Sequence, residues 1–394
     1  MIELAYGARP LPLRLPDGVA VEVLAPPAPP AVADLAATLQ AALDQPVGSR
    51  PLRQVVTART RAVVIVSDAS RDEPRAELFA AVRRELSALP DDQITLAVAN
   101  GTHAPGAPAG LGLPPEVLAR HRLVNHDGHD PAAMVEVGRT SRGTRLRVNR
   151  CLAEADVVVT TGRIKPHYFA GYGGGCKGIF PGLGFAEDVR QNHRLKADPA
   201  SSLGRADLNP CREDLEEAVR RLGRDTFMLN VVEAGGAILG AVAGDLVLAH
   251  REGVRRLRPW VEVEAAPADL VIVSAPLPVS GSLYQASKLV PPAGLLLRDG
   301  GVVIVAAECP AGIGPVQVVN EGIFKLGVRR FLPDRYTLLL VSSMDAATAA
   351  QGYATPAPSL EAALSEALRR TGPAPRVLVL PDAGDLVPVP TARR

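Results

Sequence analysis

The sequence predicts an α/β protein of two domains, with mainly parallel sheets covered by helices. Three observations carry this reading. Short β-branched runs alternate with amphipathic stretches along most of the chain, the pattern that parallel strands with helical crossovers produce. Several of those runs are continuously apolar, as strands buried on both faces are. A length of 394 residues also exceeds what one hydrophobic core usually supports.

Taken in order, Arg61 to Val66 is a β-branched run that ends at polar Ser67-Asp68 and reads as a buried strand. Pro74 suits the first turn of a helix extending to about Leu89, with Ala76, Phe79, Ala80, Val82 and Leu86 as its apolar stripe. Gln93 to Ala99 is the next strand, followed by a loop Asn100-Gly101-Thr102-His103. Asp156 to Thr160 is a further strand, and Arg212 to Leu222 a helix with charged faces. Strands at Asp269 to Ser274 and Gly301 to Ala306 flank a helical segment around Tyr284 to Leu289. Ser359 to Arg370 is a helix and Arg376 to Leu380 a final strand. The proline-rich Ala25 to Ala31 reads as a surface connection. The domain boundary is expected near Ala265-Ala266-Pro267, giving domains 1–266 and 267–394, with the last residues able to pack back on the first domain.

Composition narrows the class. Hydrophobic content of 47% with 4% aromatic residues is that of a globular protein, and a net charge of +1 gives no general pull toward nucleic acid or membrane. No apolar run reaches spanning length and no secretion signal is evident, so a cytoplasmic location is expected. Cys151, Cys176, Cys211 and Cys309 are scattered, which points to neither a zinc site nor a disulfide framework.

The most informative segment is Arg163 to Gly182, where five glycines fall between Gly171 and Gly178 and His167 precedes Lys177 by ten residues. Glycine weakens regular structure through its backbone entropy, so such density suggests a loop shaped for close approach to a ligand. A histidine offers a base or metal ligand near neutral pH, and a deprotonated lysine can carry a covalent adduct. A phosphate loop would need Gly-Lys-Ser/Thr, whereas Cys176 precedes Lys177 and Gly178 follows it. From Pro166 to Gly182 the chain resembles the nickel-dependent lactate racemase family of 2-hydroxyacid racemases and epimerases. The pattern is approximately Pro-His-x-Phe-Ala-Gly-x-Ser-Gly-Gly-x-Lys-x-x-x-Pro-Gly, with Gly173 here in place of the usual serine and Cys176 where arginine is frequent. Further motifs extend the resemblance from about Ser67 to Lys288.

The resemblance assigns roles residue by residue. Asp68-Ala69-Ser70-Arg71 matches an Asp-x-Thr-Arg motif in which Arg71 binds the substrate carboxylate and Asp68 supports the cofactor site. On residue grounds alone this pair reads rather as a capping aspartate beside a surface arginine, and it is the other motifs that reverse that reading. Gly101-Thr102-His103 corresponds to a motif whose histidine is one of two catalytic bases, so His103 and His167 form the pair. His126 is expected to be structural, and His121, His129 and His250 exposed. The family's cofactor is a nickel-pincer nucleotide, a pyridinium mononucleotide whose two sulfur arms clamp nickel. By resemblance it is carried covalently on Lys177, with Gly174 and Gly175 beside it and His193 completing the metal's coordination. Soft, near-square-planar ligation suits nickel(II). Tyr284, Gln285 and Lys288 are implied substrate contacts, with Tyr284 and Lys288 sharing one helical face. That places the expected active site in the interdomain cleft.

The implied reaction inverts C2 of a 2-hydroxyacid by hydride transfer to and from the tethered cofactor. The implied partners are a small 2-hydroxyacid and the accessory enzymes that make the cofactor. The only tryptophan, Trp260, lies near the boundary, whereas lactate-specific members place one against the substrate in the C-terminal region. A substrate larger or more polar than lactate is therefore expected. Two other classes remain: a cofactor-free binding or regulatory homologue, and a nicotinamide-dinucleotide oxidoreductase. The second lacks a Gly-x-Gly-x-x-Gly after the first strand with an acidic residue at the right distance.

Overall fold

A computed structural model describes residues 2–332, 335–372 and 374–391. The chain folds as two compact units, Ala28–Pro259 and the combination of Met1–Pro27 with Trp260–Arg394. The later crossing lies close to the expected boundary at 265–267. The expected domain 1–266 is corrected at its start, because the first 27 residues belong to the other unit. Backbone pairing explains this. Ile2–Gly7 pairs in parallel with Ala268–Pro276, and Val21–Val23 in parallel with Val377–Leu380. Leu4 and Leu13 are buried in one core with Leu270, Ile272 and Ile304. The proline-rich stretch expected as a connection spans the first crossing. The last strand, Val387–Pro390, pairs in parallel with Glu262–Ala265 of its own unit.

In the unit Ala28–Pro259, six strands run in the order Ala237–Gly244, Asp225–Ala234, Val157–Ile164, Ala62–Ser67, Ile94–Ala99 and Arg122–Asn125. Only the first two pair antiparallel. The rest are parallel, so their C-terminal ends share one edge of the sheet, the edge at which open α/β sheets place their ligands. The strand expected to end at Thr160 continues to Ile164, because Thr161 to Ile164 stay paired with Leu229 to Val232. Val64, Val66, Leu96, Val98, Val159 and Leu229 form the core beneath Phe79 and Val82. The helix carrying those two residues, Arg75–Glu85, is shorter than expected, with Pro74 at its N-cap. Its buried stripe includes Leu78 and Ala81, while Ala80 faces solvent. The helix Pro210–Arg221 starts at an Asn209 cap and buries Arg212, Asp214 and Glu216, so its charged residues do not all form solvated faces.

The other unit carries a mainly parallel sheet through Thr355–Ala357, Thr337–Val341, Leu297–Ala306 and Ala268–Pro276, with Val377–Leu380 and then Val21–Val23 on its far side. Arg9–Leu13 is an antiparallel edge strand, a place where Pro10 and Pro12 are tolerated. Among the described residues, no helix is long and apolar enough to cross a membrane.

Leu4→Ala empties a fully buried site, and the loss should lower the unfolding free energy of the whole chain by about 2–5 kcal/mol in denaturant melts. Val21→Ala, at an exposed position, should cost far less. Equal effects would contradict the assignment of the first residues to that core.

Candidate active site

Two neighbouring parallel strands deliver the first cluster. Ser67 and Ala99 lie opposite one another at the ends of Ala62–Ser67 and Ile94–Ala99, so the loops that follow are adjacent. Asp68 Oδ2 lies 3.5 Å from His103 Nδ1 and 3.7 Å from Arg71 Nε. The Ser70 amide donates to Asp68 Oδ1 at 2.8 Å, and the Ser70 hydroxyl donates to the same oxygen. Burial opposes ionisation of Asp68, but the hydrogen bonds from His103 and Ser70 and the charge of Arg71 outweigh it and hold the carboxyl well below the usual range. Asp68 is buried, while the side chains of Arg71 and His103 are about half exposed, so only these two are open to a ligand. Asp68, expected to support the cofactor site, contacts His103, Arg71 and Ser70. A proton on His103 Nδ1, facing Asp68, leaves Nε2 as the acceptor.

The loop bearing His103 is tied down from behind. Asn100 Nδ2 donates to the His126 carbonyl at 2.6 Å, and the Gly101 amide to the Gly182 carbonyl at 2.9 Å. His126 is fully buried, with Nε2 3.1 Å from the Gly184 carbonyl, which is a structural role. His129 is exposed as expected. His121 and His250 are not, since both are buried: His121 bonds the Val117 carbonyl at 2.8 Å and His250 the Gly173 carbonyl at 2.8 Å.

The second cluster grows from Val157–Ile164. Its continuation forms a two-stranded turn, Pro166–His167 against Gly171–Tyr172, and then the short helical turn Gly175–Gly178 that carries Lys177. Lys177 Nζ lies 3.4 Å from His167 Nε2, and the Ala170 amide donates to His167 Nδ1 at 3.2 Å. The buried Phe169 ring is the centre of this group. His167 meets it edge-on at 4.7 Å between centroids and His193 at 5.0 Å. Lys177 Nζ and Lys196 Nζ lie 5.8 and 5.9 Å from its centroid.

Gly174 and Gly175 adopt positive φ of 73° and 61°, a conformation L side chains rarely take, and a side chain would be crowded at both. A Cβ on Gly174 would come 2.6 Å from Asn230 Oδ1, and one on Gly175 would come 3.1 Å from His250 Cδ2. Buried neighbours of the chain itself therefore crowd both positions.

Electrostatics prepare two groups for bonding. Burial, with the positive charges of Arg212 and Arg71 and against an opposing effect of Cys211, lowers the Lys177 amine to about 7. Burial and the charges of Lys177 and Lys196 lower His193 to about 3, so its imidazole is neutral at ordinary pH. His193 Nδ1 is buried without a hydrogen-bond partner, although the Val189 carbonyl one turn back favours the protonated ring. A neutral imidazole can ligate a metal through its unprotonated nitrogen, and an amine that sheds its proton near pH 7 can take a covalent link. Among the described residues, no three or more His, Cys, Asp or Glu side chains converge as a metal cluster.

Tyr284, Gln285 and Lys288 lie in the unit that includes Trp260–Arg394. The helix Leu283–Ala286 tightens into a 3₁₀ turn at Ser287–Leu289. Lys288 Nζ donates to Gln285 Oε1 at 2.5 Å. Sequence reading missed Asn209, Arg212, Asn230 and His250, which hold the glycine loop, and Lys196, which flanks Phe169. The Asn-Pro start of the helix Pro210–Arg221 was the one local signal.

The lactate racemase N-terminal domain family matches residues 6–204. The lactate racemase of Thermoanaerobacterium thermosaccharolyticum is 29% identical over 359 residues, covering 85% of this chain and 83% of that protein. The lactate racemase of Lactiplantibacillus plantarum is 27% identical over 378 residues, covering 88% and 89%. The structure of the lactate racemase apoprotein from T. thermosaccharolyticum superposes with a TM-score of 0.85 at 25% identity, covering 98% of this chain and 99% of that one. A Thermotoga maritima protein shares the fold, with a TM-score of 0.63 at 16% identity over 86% and 96% of the two chains.

An amine with a pKa of about 7 is largely protonated below that pH and free above it. Labelling of Lys177 by an amine-reactive reagent, followed by peptide mass spectrometry, should therefore rise through pH 7 and level off by about pH 8.5. A rise centred near the ordinary lysine value of about 10.4 would contradict the site's electrostatics.

Proposed function

The chain belongs to the lactate racemase N-terminal domain family, and from that premise we propose that it inverts C2 of a 2-hydroxyacid by hydride transfer, using a nickel-pincer nucleotide attached to Lys177. The observation that carries the reading is the convergence of His167, Lys177 and His193 on the Phe169 ring. The donor set fits the group, with Lys177 as a free amine for the covalent link and His193 as one neutral ligand for a metal that brings its other ligands with it. When bound, the group supplies a carbon able to accept and return hydride, which avoids a carbanion at C2.

The chain's own residues do the rest. Arg71 presents an exposed planar fork suited to the substrate carboxylate. One of His103 and His167 takes the hydroxyl proton as C2 becomes planar, and the other returns a proton to oxygen on the opposite face. Asp68 turns His103 Nδ1 away from the substrate and so keeps Nε2 as the reactive nitrogen. Tyr284, Gln285 and Lys288 complete the proposed substrate contacts. The reaction is an isomerisation, and its accessory enzymes are those that build the cofactor.

In chain produced alongside cofactor-making enzymes, Lys177→Ala should abolish both the mass adduct and racemisation. An unchanged adduct in that variant would rule out the attachment point.

Loss of either base should slow inversion by roughly 10²-fold or more, read by chiral chromatography of His103→Ala and His167→Ala. Near-normal rates in one variant would remove that histidine from the mechanism.

The relatives are named for lactate, yet Trp260 is the chain's only tryptophan. Across lactate, malate, 2-hydroxyglutarate, phenyllactate and gluconate, a substrate larger than lactate should give the highest kcat/KM. Lactate as clearly the best would contradict this choice while leaving the reaction class intact.

A further inference from the structure

Between Phe169 and Gly175, five backbone polar groups are each taken up by a buried side chain. Asn209 donates to the Phe169 carbonyl at 2.8 Å, and Arg212 donates to the Ala170 carbonyl at 3.1 Å and to that of Tyr172. His250 bonds the Gly173 carbonyl at 2.8 Å, and Asn230 Oδ1 accepts from the Gly175 amide at 2.8 Å. All four side chains are fully buried.

The His250 bond stands apart because it depends on which ring nitrogen carries the proton. A carbonyl only accepts, so Nε2 must donate. Arg251 Nη1 donates to Nδ1 at 3.2 Å, which reserves that nitrogen as the acceptor. Arg251 is in turn held by Asp207 at 2.6 Å and Glu216 at 2.9 Å. Burial and the charges of Arg212 and Arg251 keep the ring neutral, with its pKa well below the ordinary value. The same ring lies 3.1 Å from where a Cβ on residue 175 would stand. One histidine therefore fixes both ends of the turn that precedes Lys177.

We propose that His250, locked in one tautomer by Arg251, is a positioning residue that sets the turn Gly173–Gly175 and thereby places Lys177 against His167. The functional consequence rests on Lys177 being the attachment point, whereas the placement itself does not. A core histidine satisfied elsewhere would leave the loop unchanged when replaced; this one uses its only donor on the loop.

The test reads the loop without needing catalysis. In the full chain without cofactor, His250→Phe keeps ring volume and removes the donor. Backbone hydrogen exchange over 171–178 should then quicken by about 10-fold, with exchange in the strand 62–67 unchanged. Lys177 labelling at fixed pH should change in the same variant, and His250→Gln, which keeps an N–H donor, should restore much of the native exchange. In chain made with its cofactor, His250→Phe should lower adduct yield, and kcat should fall more than KM. Native exchange over 171–178 in folded His250→Phe, or equal quickening in 62–67, would overturn the proposal. If His250→Phe does not fold, Arg251→Met leaves the ring in place and decides the same question, since native loop exchange in it would overturn the proposal too. Failure of the racemase reading would show differently, as no adduct and no inversion in the unaltered chain with the loop exchange effect intact.

Discussion

The site depends on how a glycine-rich backbone is held still. From Gly171 to Gly178 the chain carries five glycines, each of which loses more conformational freedom on ordering than any other residue would. Few side chains within the run can repay that loss by packing. Order comes instead from outside, from Asn209, Arg212, Asn230 and His250, whose hydrogen bonds would be costly to leave unmade in a buried setting. The same supports crowd two of the glycines, Asn230 at Gly174 and His250 at Gly175. The loop and its supports are one structural unit, spread over a helix start, a strand and a second helix.

The same burial sets the chemistry. Lys177, Arg212, Lys196 and His193 lie close enough to influence one another, and the surrounding low dielectric makes each charge costly. Arg212 remains cationic because Tyr172 and Ala170 carbonyls solvate it and Glu216 lies near, although its Nη1 has no partner. Relief comes from the groups that can shed a proton, so the amine becomes nucleophilic and the imidazole ligand-competent. On the other side of the sheet edge, Asp68 works in the opposite sense: its neighbours keep it ionised, and its charge fixes the orientation of His103 and Arg71. Two environments of contrasting polarity thus sit after neighbouring parallel strands, one with an amine and an imidazole that shed their protons readily, the other with an ionised carboxylate held between a histidine and an arginine.

Much of this could be read from the amino-acid order. Strands 62–67 and 94–99 were legible as apolar, β-branched-rich runs and the third only as far as Thr160; Asp68, His103 and His167 lie just after these strands, where ligands gather, but their expected roles came from the resemblance. The pairing of Ile2–Gly7 with Ala268–Pro276 was not legible, because contacts across more than 260 positions leave no local period and Pro10 and Pro12 obscure the neighbouring strand. His250 and Arg212 were misread for a related reason. Polar residues on helices look solvated from sequence, and only the tertiary structure shows that backbone carbonyls of a distant loop are their partners. The crowding of Gly174 and Gly175 by Asn230 and His250 was not legible either, since those residues lie fifty or more positions further on.

The central claim is that inversion at C2 proceeds without surrender of its hydrogen to water. The most direct test supplies a 2-hydroxyacid deuterated at C2 to the cofactor-bearing chain in ordinary water, then examines the inverted product by mass spectrometry. Retention of the deuterium, with turnover slower than for the unlabelled acid, is the expected result. Replacement of the deuterium by solvent hydrogen at the rate of inversion would contradict hydride transfer and point to proton abstraction at carbon.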